Sequence, residues 1–102
     1  MKKTENREEL LKKNADDLGL EATLIQTIEE MAELIKAICK YFRYGNSKLN
    51  DVIEELSDVS ITSEQLRYLI DCNDIVDEIV MEKLIRTKER IEKTGGNYEY
   101  TE

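Results

Sequence analysis

The sequence predicts an all-α protein, an antiparallel four-helix bundle-type domain, and three observations carry that prediction. Proline is absent from the 102 residues and glycine occurs four times, so the punctuation of a turn-rich β protein is missing. Glu, Lys, Leu and Ile dominate the composition, all of them common in helices. Apolar residues recur at steps of three and four along four segments separated by short breaks.

The first helix is expected over about residues 5–18, with Leu10, Leu11, Ala15 and Leu18 on its apolar side. Asn6 and Glu9 have capping-box spacing at its start, and Gly19 is a natural stop. A second helix follows over about 21–44, with Leu24, Ile28, Met31, Ile35, Ile38 and Phe42 as its stripe. Gly45-Asn46-Ser47 should break it into a loop, with Asn50 capping a third helix over about 51–70. That helix would use Val52, Leu56, Val59, Leu66 and Ile70 as its apolar side. After a break at 71–73, a fourth helix over about 74–94 ends at Gly95-Gly96, leaving a flexible tail over 95–102 that contains Tyr98 and Tyr100. Long helices and short connections mean antiparallel neighbours, all within one domain over 1–102.

Charge narrows the function. The chain carries a net −8, with −1 over residues 1–51 and −7 over 52–102. Such a surface repels a phosphate backbone, so no nucleic-acid partner is expected. With no histidine and two isolated cysteines, Cys39 and Cys72, zinc sites and His-assisted nucleophiles are disfavoured. The cysteines read as reduced, half-buried thiols, and no segment is apolar enough for a membrane span, so a cytoplasmic protein is expected.

Two acidic clusters carry the chemistry. Glu29-Glu30-Met31-Ala32-Glu33 lies on the second helix and Glu54-Glu55-Leu56-Ser57-Asp58 on the third. Glu30 and Glu33 share a helical face, as do Glu55 and Asp58, and each pair flanks an apolar stripe. Like charges leaning toward a core need a positive partner, and Mg²⁺ favours carboxylate oxygens. If the two helices pack antiparallel, Glu30 and Glu33 face Glu55 and Asp58. By spacing alone, a cation cage and a solvated acidic surface remain equally open.

At these residues the chain resembles the MazG-like nucleotide pyrophosphohydrolases of the all-α NTP pyrophosphatase superfamily. The family wording, EExxE and then ExxD, reads here Glu29-Glu30-x-x-Glu33, twenty-one residues, then Glu55-x-x-Asp58. The resemblance covers about residues 20–92, within a helical core of about 20–94. It implies Glu30, Glu33, Glu55 and Asp58 as Mg²⁺ ligands (Mn²⁺ as a possible substitute), with Glu29 orienting water or acting as base. Lys83, Arg86 and Arg90 resemble the family's basic positions for the triphosphate; Thr87 stands where the family often has asparagine. The same basic residues also read as ion pairs of a solvated helix, Glu82 with Arg86 and Glu89 with Lys93. The absence of histidine sets the chain apart from the phosphoribosyl-ATP pyrophosphatases.

The implied activity is hydrolysis of a (d)NTP to (d)NMP and pyrophosphate by water attack on the α-phosphorus. A homodimer or homotetramer is implied with it, and the apolar excess on the second helix agrees. Tyr41, Phe42 and Tyr44 read as core packing or a dimer seam rather than as a base stack. Two other readings compete: a non-catalytic helical oligomerisation or regulatory module, and a nucleotide-binding sensor of the same fold.

Overall fold

The computed structural model describes residues 5–95, so all of the expected tail except Gly95 lies outside the described residues. Among them the chain is all-helical, without a strand: α1 (Arg7–Leu18), α2 (Leu20–Tyr44), a 3₁₀ turn (Gly45–Lys48), α3 (Leu49–Ile70) and α4 (Asn73–Thr94). No described helix is long and apolar enough to cross a membrane. The chain divides into two compact units, Met1–Asp71 with α1 to α3 and Cys72–Glu102 with α4.

Local chemistry sets most helix ends where the sequence placed them. Asn6 Oδ1 accepts the Glu9 N–H at 2.9 Å, satisfying one of the free donors of the first turn of α1. Gly19, at φ 87°, donates its N–H to the Ala15 carbonyl at 2.8 Å and accepts from the Thr23 N–H at 3.1 Å. One residue therefore closes α1 and opens α2, in a conformation that a side chain would strain.

The connection between α2 and α3 departs from expectation. Gly45–Lys48 forms a 3₁₀ turn rather than an open loop, and Asn50 lies inside α3 instead of capping it. The turn itself removes the need for a cap, because the Leu49 N–H donates to the Asn46 carbonyl. At the far end of α3, Asp71 adopts a left-handed conformation at φ 62°, and its N–H reaches the Arg67 and Tyr68 carbonyls.

Within the first unit, α2 and α3 form an antiparallel hairpin. Glu30 meets Asp58, while Gln26, a turn earlier on α2, shares a cleft with Thr62 and Gln65, later on α3. The seam corrects the expected burial. On α2 the inward register is Thr23, Thr27, Glu30, Leu34 and Ala37; on α3 the buried or half-buried positions include Glu55, Asp58, Thr62 and Gln65. Small and polar side chains let the helices approach, and the Thr27 hydroxyl satisfies itself by donating to the Thr23 carbonyl at 2.7 Å.

The apolar stripe of α2 consequently points elsewhere. Ile28 is 70% exposed, Ile35 62% and Phe42 92%, so Phe42 is not core packing. On α3, Leu56 and Ile70, both on the side the sequence reads as apolar, are exposed. Among the described residues, the buried hydrophobic ones are Ala15 and Ala37 alone. On α4, Ile75, Met81 and Leu84 are likewise exposed.

Helix α1 is fastened to α3 by polar contacts around the fully buried Ala15. Arg7 grips Glu64 with two hydrogen bonds of 2.9 and 3.1 Å, Tyr68 Oη donates to Asp16 at 3.0 Å, and Lys12 lies 5.7 Å from the Tyr68 ring centre. The Arg7 hydrogen bonds hold the Glu64 carboxyl below its ordinary value; partial burial opposes this, and the charges of Arg7 and Arg67 add to it. Since the folded state releases this proton more readily than the unfolded chain, the fork stabilises the fold above the ordinary glutamate range. That stabilisation is lost as pH falls through the lowered folded value. Arg7→Gln should therefore lower the melting temperature slightly at neutral pH. In acid below the carboxylate range the difference should vanish, as thermal melts at the two pH values will show.

Candidate metal centre

The α2–α3 hairpin brings three acidic side chains together from two helices. Glu30, Glu55 and Asp58 each present a carboxylate oxygen, and these atoms all lie within 4.8 Å of one another. All three residues are half-buried. Glu30 sits on the inward register of α2, and Glu55 and Asp58, three residues apart, share one face of α3.

The electrostatics register the crowding. The Glu30 carboxyl is raised above its ordinary value, first by burial, then by the negative charges of Asp58 and Glu55, with a hydrogen bond to Glu55 and the charge of Glu33 adding to it. Glu55 Oε1 is buried and has no hydrogen-bond partner among the described residues. A buried acceptor left in this state is costly, and hydrogen bonding within an all-carboxylate cluster cannot satisfy every oxygen at neutral pH. A hard divalent cation meets both needs. It supplies positive charge to the cluster and takes oxygen ligands, with waters completing its shell.

The remaining candidates are placed differently. Glu33 falls outside the three-carboxylate group; its side chain is about half exposed, with Lys36 Nζ 3.8 Å away. Glu29, one position before Glu30, is exposed. Lys83, Arg86 and Arg90 are exposed on α4, in the second unit, where Lys88 pairs with Glu92 at 2.7 Å. Cys39 is exposed rather than half-buried because it lies off the inward register of α2, whereas Cys72 is half-buried; both are free thiols.

Sequence reasoning missed a cleft of about 390 Å³ that opens beside the acidic group. Glu30 and Asp58 line it, together with Asn14, Gln26, Gln65, Leu18 and Ile61. A signal for part of it existed: Glu55, Asp58, Thr62 and Gln65 follow one another at helical steps of three, four and three. No family model matches the chain, and neither does any curated protein or solved structure compared with it.

Proposed function

We propose that the chain is a Mg²⁺-dependent nucleoside-triphosphate pyrophosphohydrolase, converting (d)NTP to (d)NMP and pyrophosphate by attack of water on the α-phosphorus. The observation that carries this reading is the convergence of Glu30, Glu55 and Asp58, with one Glu55 oxygen buried and unpartnered. The resemblance of both acidic segments to the MazG-like enzymes supports it independently of the geometry.

Glu30, Glu55 and Asp58 would hold the ion, and Glu33, a turn along α2, would add negative potential or anchor a water of its shell. Bound there, Mg²⁺ supplies Lewis-acid polarisation of phosphate oxygens and acidifies bound water. Glu29 is exposed next to Glu30 and can accept a proton from water. Lys83, Arg86 and Arg90 are assigned to the polyphosphate, whose charge calls for cations.

The reading includes self-association into a homodimer or homotetramer with a four-helix bundle-type core. Its support is the inverted burial: among the described residues the buried hydrophobic ones are two alanines, while isoleucines lie exposed along α2, so these helices have little apolar core of their own. A triphosphate substrate and two free thiols fit a cytoplasmic setting. The same apolar faces are what favour the competing reading, a helical oligomerisation module without chemistry.

Pyrophosphate release, screened across canonical and modified (d)NTPs, separates the two. Turnover with Mg²⁺ or Mn²⁺ that stops with chelator is the expected result. Silence across every triphosphate with either metal overturns the enzymatic reading and leaves the oligomerisation module.

A further inference from the structure

Helix α4 carries opposite charges on its two halves. Residues 73–82 hold four Asp/Glu and no Lys/Arg, a net −4, while residues 83–94 hold five Lys/Arg and two Asp/Glu, a net +3. The helix macrodipole accounts for little of this order, since its reach ends within the terminal turns, where Asp74 and Lys93 stand. Asp74, Glu78 and Glu82 follow one another at steps of four, which sets like charges side by side and disfavours the helix by itself.

No residue of α4 is buried, and an apolar seam runs its length. Val76, Val80, Leu84, Thr87 and Ile91 recur at steps of four, four, three and four, close to coiled-coil spacing, and Val80, Leu84 and Ile91 are exposed. Asp77 and Lys88, both exposed, stand eleven positions apart, or about three turns, so they share one flank of that seam.

Two copies of such a helix laid side by side have one favourable orientation. In a parallel pair the acidic halves meet each other, and so do the basic ones. In an antiparallel pair each acidic half meets a basic one and like flanks face each other. Asp77 of each copy then comes opposite Lys88 of the other, a contact made twice by symmetry. Lys88 already holds Glu92 at 2.7 Å, but that pair is exposed and contributes little, and an ammonium has donors for a second carboxylate.

We propose that α4 is a docking surface for a second copy of this chain, pairing antiparallel with its α4. The partner is the same chain because the charges that the surface calls for are those that α4 itself carries. The pairing rests on the self-association proposed from the exposed stripe of α2 and adds to it. A seam of 22 residues, about three heptads, is a modest contribution rather than the whole attachment.

Sedimentation velocity of the full chain tests the pairing. Asp77→Lys and Lys88→Glu each set like charges opposite one another twice, so each should raise the dissociation constant about tenfold. Combined in one chain they exchange the two charges. The double variant should therefore return to within about threefold of wild type, which a parallel pair would not do. Circular dichroism checks helix content. Where a reversal costs helix, Asp77→Asn and Lys88→Gln carry the test, with smaller losses and a double variant no weaker than either single one. Single variants that associate like wild type, or losses that simply add in the double variant, overturn the α4 pairing while the α2 stripe still explains an associating wild type. A wild type that is monomeric at every concentration overturns both.

Discussion

Asp58→Asn should reduce pyrophosphate release by roughly 100-fold or more and, in metal-free buffer, raise the melting temperature. The two effects have one origin. Asp58 is among the charges that lift the Glu30 carboxyl above its ordinary value, so its negative charge works against the fold when no cation is present. Neutralising it relieves that repulsion and at the same time removes an oxygen that a hard cation prefers charged. Wild type should gain stability from magnesium: with a dissociation constant near 1 mM, about 1.4 kcal/mol at 10 mM metal. The variant should gain little. Glu33→Gln provides the contrast, since Glu33 stands outside the group of three and faces Lys36 at 3.8 Å. Its loss should be about tenfold, the size of an outer contribution. Equal, large losses in both variants would place Glu33 among the direct ligands. Full activity and unaltered metal response in Asp58→Asn would remove the acidic group from the mechanism.

The second large effect is expected on a face far less polar. Ile28→Glu or Ile35→Glu should convert the proposed oligomer to monomer at micromolar concentration, raising its dissociation constant by roughly 100-fold or more. A carboxylate forced into an apolar interface costs about 3 kcal/mol when nothing pairs with it. In a working monomer the same substitutions would be close to neutral, within about 0.5 kcal/mol, because both side chains are already more than half exposed. Sedimentation velocity reads the change directly. A melting temperature that rises with wild-type concentration and loses that dependence in the variants gives the same answer by mass action. Monomeric wild type, or variants that associate as before, would deny the stripe its role.

These two predictions divide along what could be read from the residues. Helix ends were legible because their chemistry is local: Asn6 caps α1 through its own side chain, and Gly19 and Gly95 accept positive φ. The start of α3 was misread since a 3₁₀ turn can satisfy backbone donors without any side chain, and Asn50 merely resembles a cap. Hydrophobic periodicity placed the stripes correctly around each axis and still misjudged burial on α3. It reports which face avoids water, not which neighbour covers it, and here the neighbour within the unit takes the polar face. The meeting of Glu30 with Glu55 and Asp58 was legible from helical spacing plus an antiparallel hairpin. Gln65 was not, for a glutamine three residues beyond a threonine reads as surface until its helix is packed.

Gly19 gives the architecture an unexpected sensitivity. It is the whole joint between α1 and α2, so the two helices are geared through one pair of torsion angles. An extra residue inserted beside it would turn α1 about its own axis by roughly 100°. Asn14 and Leu18 would then rotate out of the cleft and Arg7 away from Glu64, while the α2–α3 hairpin and its carboxylates kept their positions. Chain length at this joint therefore sets the rotational register of α1 against the hairpin, separable from the placement of the acidic side chains.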